Sequence, residues 1–186
     1  CFRSDLSTML YSLLQVVGKP RLVERVGQVR DAAAAALGAG WRHAGFEAQR
    51  TRIQQQLAGG RLREAFEGAQ ALLNRAREAG EQAYDRADFD LAMACWLLAR
   101  VLNSARAAQQ ALPLIDEARQ RFEAFDRANP NRAAASMASA CVTERGDCLR
   151  DLGRIDEAAA AYTRALAIFR EALDPRHPME IGRAHV

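Results

Sequence analysis

Four kinds of residue in this 186-residue chain have types and spacings that could do chemistry. Gly38-Ala39-Gly40, with Gly45 beyond, is the nearest approach to a phosphate-cradling loop, in which backbone N–H groups surround an anion. It follows an alanine-rich stretch rather than a strand, its spacing is wrong, and the one lysine, Lys19, is followed by Pro20, so a plain turn is expected. Asp85, Asp88 and Asp90 alternate as calcium ligands do, but the required glycine and closing glutamate are missing, which leaves helix capping as their expected role. His43 and His177 stand without a second ligand at helical spacing, and His185 lies in the last residues, so no metal site is expected at any of them. Cys1, Cys95, Cys141 and Cys148 form no C-x-x-C pair, and no serine sits in a Gly-x-Ser-x-Gly turn.

These exclusions leave a chain with no expected catalytic residue, no metal and no cofactor. Cys141 and Cys148 are two helical turns apart, about 10 Å of rise, too far for a disulfide. Four free, mostly buried thiols suit a reducing compartment, so a cytoplasmic location is expected. The 26 basic and 23 acidic residues give a net charge of +3 and interleave at spacings of three and four, as in DEARQRFEAFDR. That is ion-pair spacing on solvated helix faces, so nucleic acid is not an expected partner. No run of about 18 apolar residues marks a membrane span, and no small-molecule substrate is expected.

The elements that position these residues follow from composition. Alanine (39) and leucine (20) make up about a third of the chain. Both are strong helix formers and β-branched residues are sparse, which excludes an all-β or parallel-sheet protein. Breakers fall at Gly18-Lys19-Pro20, Gly38-Ala39-Gly40, Gly59-Gly60, Gly80 to Asp90, Ser104 to Ala107, Asn129-Pro130-Asn131, Gly153 and Asp174-Pro175. Between them lie eight stretches with apolar residues three and four apart, such as Leu91, Cys95, Leu98 and Leu102, then Leu112, Ile115, Ala118 and Phe122. Asp88 and Asn131 are the expected N-caps, and Pro113 is expected in the first turn of its helix. Connections of two to four residues force neighbouring helices to lie antiparallel, so the chain reads as a series of αα-hairpins. Gly60-Arg61-Leu62-Arg63-Glu64-Ala65, Ala107-Ala108-Gln109-Gln110-Ala111 and Gly153-Arg154-Ile155-Asp156-Glu157-Ala158 open corresponding helices. Their alanines, Ala65, Ala111 and Ala158, recur after 46 and 47 residues, a period that marks stacked repeats.

Residues 139–172, SACVTERGDCLRDLGRIDEAAAAYTRALAIFREA, resemble a tetratricopeptide repeat (TPR). Gly146, Ala158 and Ala165 fall at its close-approach positions, and Val142, Leu149 and Tyr162 at its filling ones; Arg145 stands where the family usually has leucine. ACWLLARVLNSARAAQQALPLIDEARQRF fits nearly as well, with Ala99, Ala111 and Ala118 small and Cys95, Leu98, Leu102 and Ile115 filling. Near Phe46 to Ala76 the pattern degenerates: Ile53 replaces the small residue and Gln56 the packing aromatic. The long period resembles that of TPR tracts in large bacterial signalling proteins, which adjoin nucleotide-binding switch, kinase or caspase-like CHAT domains. The resemblance implies an all-α fold, an α–α superhelix, over a single domain, residues 1–179. Its parts are a helical pair without a clear signature (5–38), a degenerate repeat (42–79), a repeat (85–127) and the clearest repeat (131–173). Residues 180–186, EIGRAHV, resemble translated sequencing-adapter read-through, so a non-native tail on a fragment of a longer protein is expected.

In TPR proteins the first helices of successive hairpins line a concave groove that holds peptides or partner helices. Carried over, the groove positions are Arg50 and Gln54; Met93, Trp96, Arg100 and Asn103; and Thr143, Asp147 and Arg150. Trp96 beside Arg100 has the composition of a binding anchor. The family's Lys/Asn carboxylate clamp is not reproduced. The resemblance therefore implies a non-catalytic scaffold for a protein or peptide partner; alternatively, a sensor or autoinhibitory tract that controls an effector domain of its own chain.

Overall fold

The structure, a computed structural model, describes residues 41–128 and 132–173, with Leu22 and Arg25 before them. Apart from Leu22 and Arg25, the pair at 5–38 lies outside the described residues, as do the Gly38-Ala39-Gly40 turn, Asn131, His177, His185, Cys1 and the 180–186 tail. Within them, all regular structure is helical: α1 His43–Ala58, α2 Leu62–Ala79, α3 Ala87–Ser104, α4 Ala108–Ala128, α5 Arg132–Asp151 and α6 Ile155–Leu173.

Three three-residue connections, 59–61, 105–107 and 152–154, fold these helices into hairpins, and their backbones repeat bond for bond. The amide of Arg61 donates to Gln56 O (2.8 Å), that of Ala107 to Leu102 O (2.9 Å) and that of Arg154 to Leu149 O (2.9 Å). Inside each, Gly60, Arg106 or Gly153 donates to the carbonyl three residues back. This paired pattern closes a helix C-terminus and requires one left-handed residue. Gly60 (φ 72°) and Gly153 (φ 76°) meet the requirement without strain, whereas Arg106 meets it at φ 62° with a full side chain.

Each helix packs on the next in the chain, α3 also touches α1 and α5, and among the described residues no substantial contact joins α1 or α2 to α5 or α6. The hairpins thus stack in chain order and do not close into a ring. The small residues sit where the backbones meet: Ala65, Ala69, Ala99, Ala111, Ala118, Ala134, Ala158 and Ala165 are all buried. α3 is buried on nearly every side, from Ala87 through Leu102, which makes it the centre of the core. α5 is shared between two cores. Its Ala134, Ala138, Cys141 and Cys148 join the earlier hairpins, while Val142 and Leu149 join Ala158, Ala161 and Ala165 of α6.

Two local expectations are corrected. α3 begins at Ala87, after a left-handed Arg86, so Asp88 lies inside the first turn rather than at the N-cap, its carboxylate accepting only from the Phe89 amide (2.8 Å). Pro113 sits in the second turn of α4, not the first. The N–H it lacks would have bonded the carbonyl of Gln109, an exposed residue that water reaches.

Candidate functional site

The expected groove positions divide into one joined cluster, one internally paired set and some that point elsewhere. On α3, the Arg100 guanidinium lies 4.8 Å from the centroid of the half-buried Trp96 ring, a cation–π pair made possible by their i, i+4 spacing. Across the seam to α5, Asn103 Nδ2 donates to Glu144 Oε1 at 3.0 Å, and Arg100 Nε lies 3.8 Å from the other oxygen of the same carboxylate. Trp96, Arg100, Asn103 and Glu144 therefore form one polar cluster on adjacent helices. Glu144 was not among the expected positions, although it stands one turn before Asp147 on α5, which was the available signal.

Asp147 and Arg150 pair with each other (3.0 Å), and Tyr162 of α6 donates to Asp147 at 2.8 Å while accepting from Arg150 at 3.3 Å. Thr143 is exposed and spends its hydroxyl on the Ser139 carbonyl one turn back (3.2 Å). Arg50 pairs with Glu47 at 2.6 Å, and Gln54 is half-buried; no hydrogen bond or ion pair among the described residues links either to the Trp96 cluster. Met93 is a correction. It is buried in the core rather than lining an open face, because α3 is covered on several sides at once.

One feature sets these positions apart. Four buried side-chain polar atoms among the described residues lack a hydrogen-bond partner: Trp41 Nε1, Arg50 Nε, Trp96 Nε1 and Asn103 Oδ1. Three belong to expected groove residues, and burying each such atom without a partner costs about 1–3 kcal/mol.

A second polar cluster ties α1 to α3. Asp90, 1% exposed, accepts from Tyr84 Oη at 2.8 Å and pairs through the same oxygen with His43 Nδ1 at 2.7 Å. Capping is thus not the role of Asp90; it is a buried anchor. Its bond to the imidazole raises the His43 pKa above the ordinary 6.5, outweighing burial, with Glu47 adding and Arg86 opposing. Burial, reinforced by Asp90, also pushes the Tyr84 phenol upward. His43 does have a neighbour at helical spacing, contrary to expectation: ligand atoms of His43, Glu47 and Asp90 all lie within 4.8 Å of one another. Their charges are already matched, however, with Arg50 on Glu47 and the imidazole on Asp90. The set fits an ion-pair latch better than a metal site.

A cleft of about 460 Å³ opens between α4, α5 and α6, floored by Val142 and Ala161 and walled by Asp116, Arg119, Arg145 and Arg164. Arg145, at the position that Leu98 fills in the preceding hairpin, pairs with Asp116 at its wall (3.3 Å). None of the nine expected groove residues lines it. The thiols of Cys95 and Cys148 are pushed up to about 12 and that of Cys141 also rises, in each case chiefly through burial, so all three are held as neutral packing groups.

No helix among the described residues is long and apolar enough to cross a membrane. No protein-family model matches the chain, and no curated protein matches it. Among solved structures, it is similar to the crystal structure of BtubC (BKLC) from P. vanneervenii, at 17% identity and a TM-score of 0.51, over 98% of this chain and 85% of that one. At that identity the likeness speaks for the all-helical fold alone.

Proposed function

We propose that the chain is a TPR-like solenoid acting as a non-catalytic scaffold, which holds a partner peptide or helix against its first helices. The observation that carries this reading is the cluster at the seam between α3 and α5, where the Trp96 ring, the Arg100 guanidinium and the Glu144 carboxylate held by Asn103 meet on one face. Trp96 adds a broad apolar surface, with Arg100 and Glu144 beside it to set charge preference. The buried, neutral thiols and the self-matched His43–Asp90 pair fit a scaffold rather than an enzyme. On this reading the parent protein is a larger bacterial signalling protein of the kind its long repeats resemble.

The test is a peptide-display selection on the intact chain, followed by calorimetry of the strongest binder. Trp96→Ala and Asn103→Ala should each weaken binding by tenfold or more, a loss of about 1.4 kcal/mol, whereas Phe66→Ala, at an exposed apolar residue of α2, should leave it unchanged. Equal affinity for Trp96→Ala and the parent would overturn the assignment.

A further inference from the structure

The outer face of α6 presents Ile155, Leu166 and Phe169, which are 60%, 56% and 46% exposed, on one stripe with Ala159 between them. Aligning the second helices on Ala65, Ala111 and Ala158 places Leu166 where α2 has Leu73, and Phe169 where α4 has Phe122. Those counterparts are 1% and 0% exposed. The side chains and the repeat positions are the same; what differs is the cover. Part of the cover on Phe122 comes from Phe89 of its own hairpin (5.1 Å), where the third hairpin has Ser136, so Phe169 depends still more on a neighbour. The direction of the Leu73/Leu166 position is given by its α4 counterpart, Arg119, which lines the cleft shared with α5 and α6. It looks toward the following hairpin.

The chemistry of that neighbour can be read from the interfaces already made. α5 meets the preceding hairpins with a stripe of small residues, Ala134, Ala138, Cys141 and Cys148. Second helices are further joined by one recurring ion pair. Arg77 of α2 bonds Glu117 of α4 (2.7 Å), and Glu123 of α4 pairs with Arg164 of α6 (3.7 Å). Arg77 and Glu123 are equivalent positions, as are Glu117 and Arg164, so the same bridge recurs with its polarity reversed. The next position in this series is Arg170, which is exposed.

We propose that the outer face of α6 docks a further helical hairpin, whose first helix lays a stripe of Ala, Gly or Cys on Leu166 and Phe169 and whose second helix offers a carboxylate to Arg170. This does not depend on the groove reading.

The test replaces residues 178–186 with a copy of residues 131–173, which keeps the 47-residue register. One version is unchanged; the other carries Arg164→Glu in the copied hairpin only, so that an acid faces Arg170. Each is made with and without Leu166→Cys in the original α6. In the Glu version, alkylation of that cysteine should slow at least tenfold relative to the unextended chain, and the melting temperature should rise more than in the Arg version. Leu166→Glu should abolish the rise. Three results would overturn the proposal: equal alkylation rates with and without the appended hairpin; a rise in melting temperature that survives Leu166→Glu; or concentration-dependent protection in the unextended chain, which would make a second copy the occupant.

Discussion

The first and third hairpins solve one steric problem with the glycine on opposite helices. In the third, a Cβ on Gly146 would lie 2.6 Å from Tyr162 Cε1, so the first helix is pared back to admit a ring from the second. In the first, Ile53 stands at the Gly146 position, and a Cβ on Gly68 of α2 would lie 3.1 Å from Ile53 Cγ1. The bulk has crossed the seam and the space has crossed with it. Both hairpins set a bulky side chain on one helix against a glycine on the other, so the close contact is kept although the residue at each position is not. A position-by-position reading therefore sees decay in the first hairpin where the packing sees an inversion.

The sharpest way to break this comparison is Gly146→Val. Its methyls would meet a ring fixed by a hydrogen bond to Asp147, so stability should fall by about 2 kcal/mol. For a chain of this size that lowers the melting temperature by about 4–8 °C in calorimetry. Tyr162→Ala in the same background should restore part of the loss. Gly68→Ala should cost well under half as much, because a single aliphatic branch can shift by a few tenths of an ångström. Equal losses at the two glycines would refute the inversion.

The hairpins also differ in how their polar residues are tied. The first is latched to α3 through the buried Asp90, whereas the Asp147–Tyr162–Arg150 set of the third is open to solvent. Folded His43 holds its proton more tightly than the unfolded chain does. The latch therefore contributes fully below pH 6.5, and its contribution is lost as pH rises through the higher folded value. Denaturant titrations should show stability declining across that window. Asp90→Asn should flatten the decline and cost about 1 kcal/mol at low pH; Asp147→Asn should leave the slope intact. A slope unaffected by Asp90→Asn would remove the latch.

The smallest effect concerns the turns. Arg106 alone of the three turn residues adopts the left-handed conformation without being glycine, and its guanidinium, paired with Asp151 at 3.1 Å, is largely exposed. Arg106→Gly should stabilise by up to about 1 kcal/mol, since relief of strain exceeds the loss of a surface pair. A lower melting temperature would mean that the Asp151 pair outweighs the backbone strain.

Part of the candidate site was legible and part was not, for a definite reason. Trp96 and Arg100 meet because residues four apart share a helix face, a local rule that needs no fold. Glu144 reaches Asn103 across 41 residues, and His43 reaches Asp90 across 47, so both depend on the register in which helices stack. Met93 lies at a groove-type spacing, yet the helix that carries it is enclosed, which spacing on one helix does not reveal.

By itself the sequence determined the helices, the hairpin turns and the points of closest approach, because propensity, left-handed turn positions and the absence of a Cβ act within a few residues of the chain. Tertiary structure alone decided which carboxylates became partners, which hairpin inverted its packing and which apolar stripe went uncovered. Those outcomes are set by contacts between different helices, from 15 residues apart for Ile53 and Gly68 to 47 for His43 and Asp90, and a local pattern leaves that geometry open.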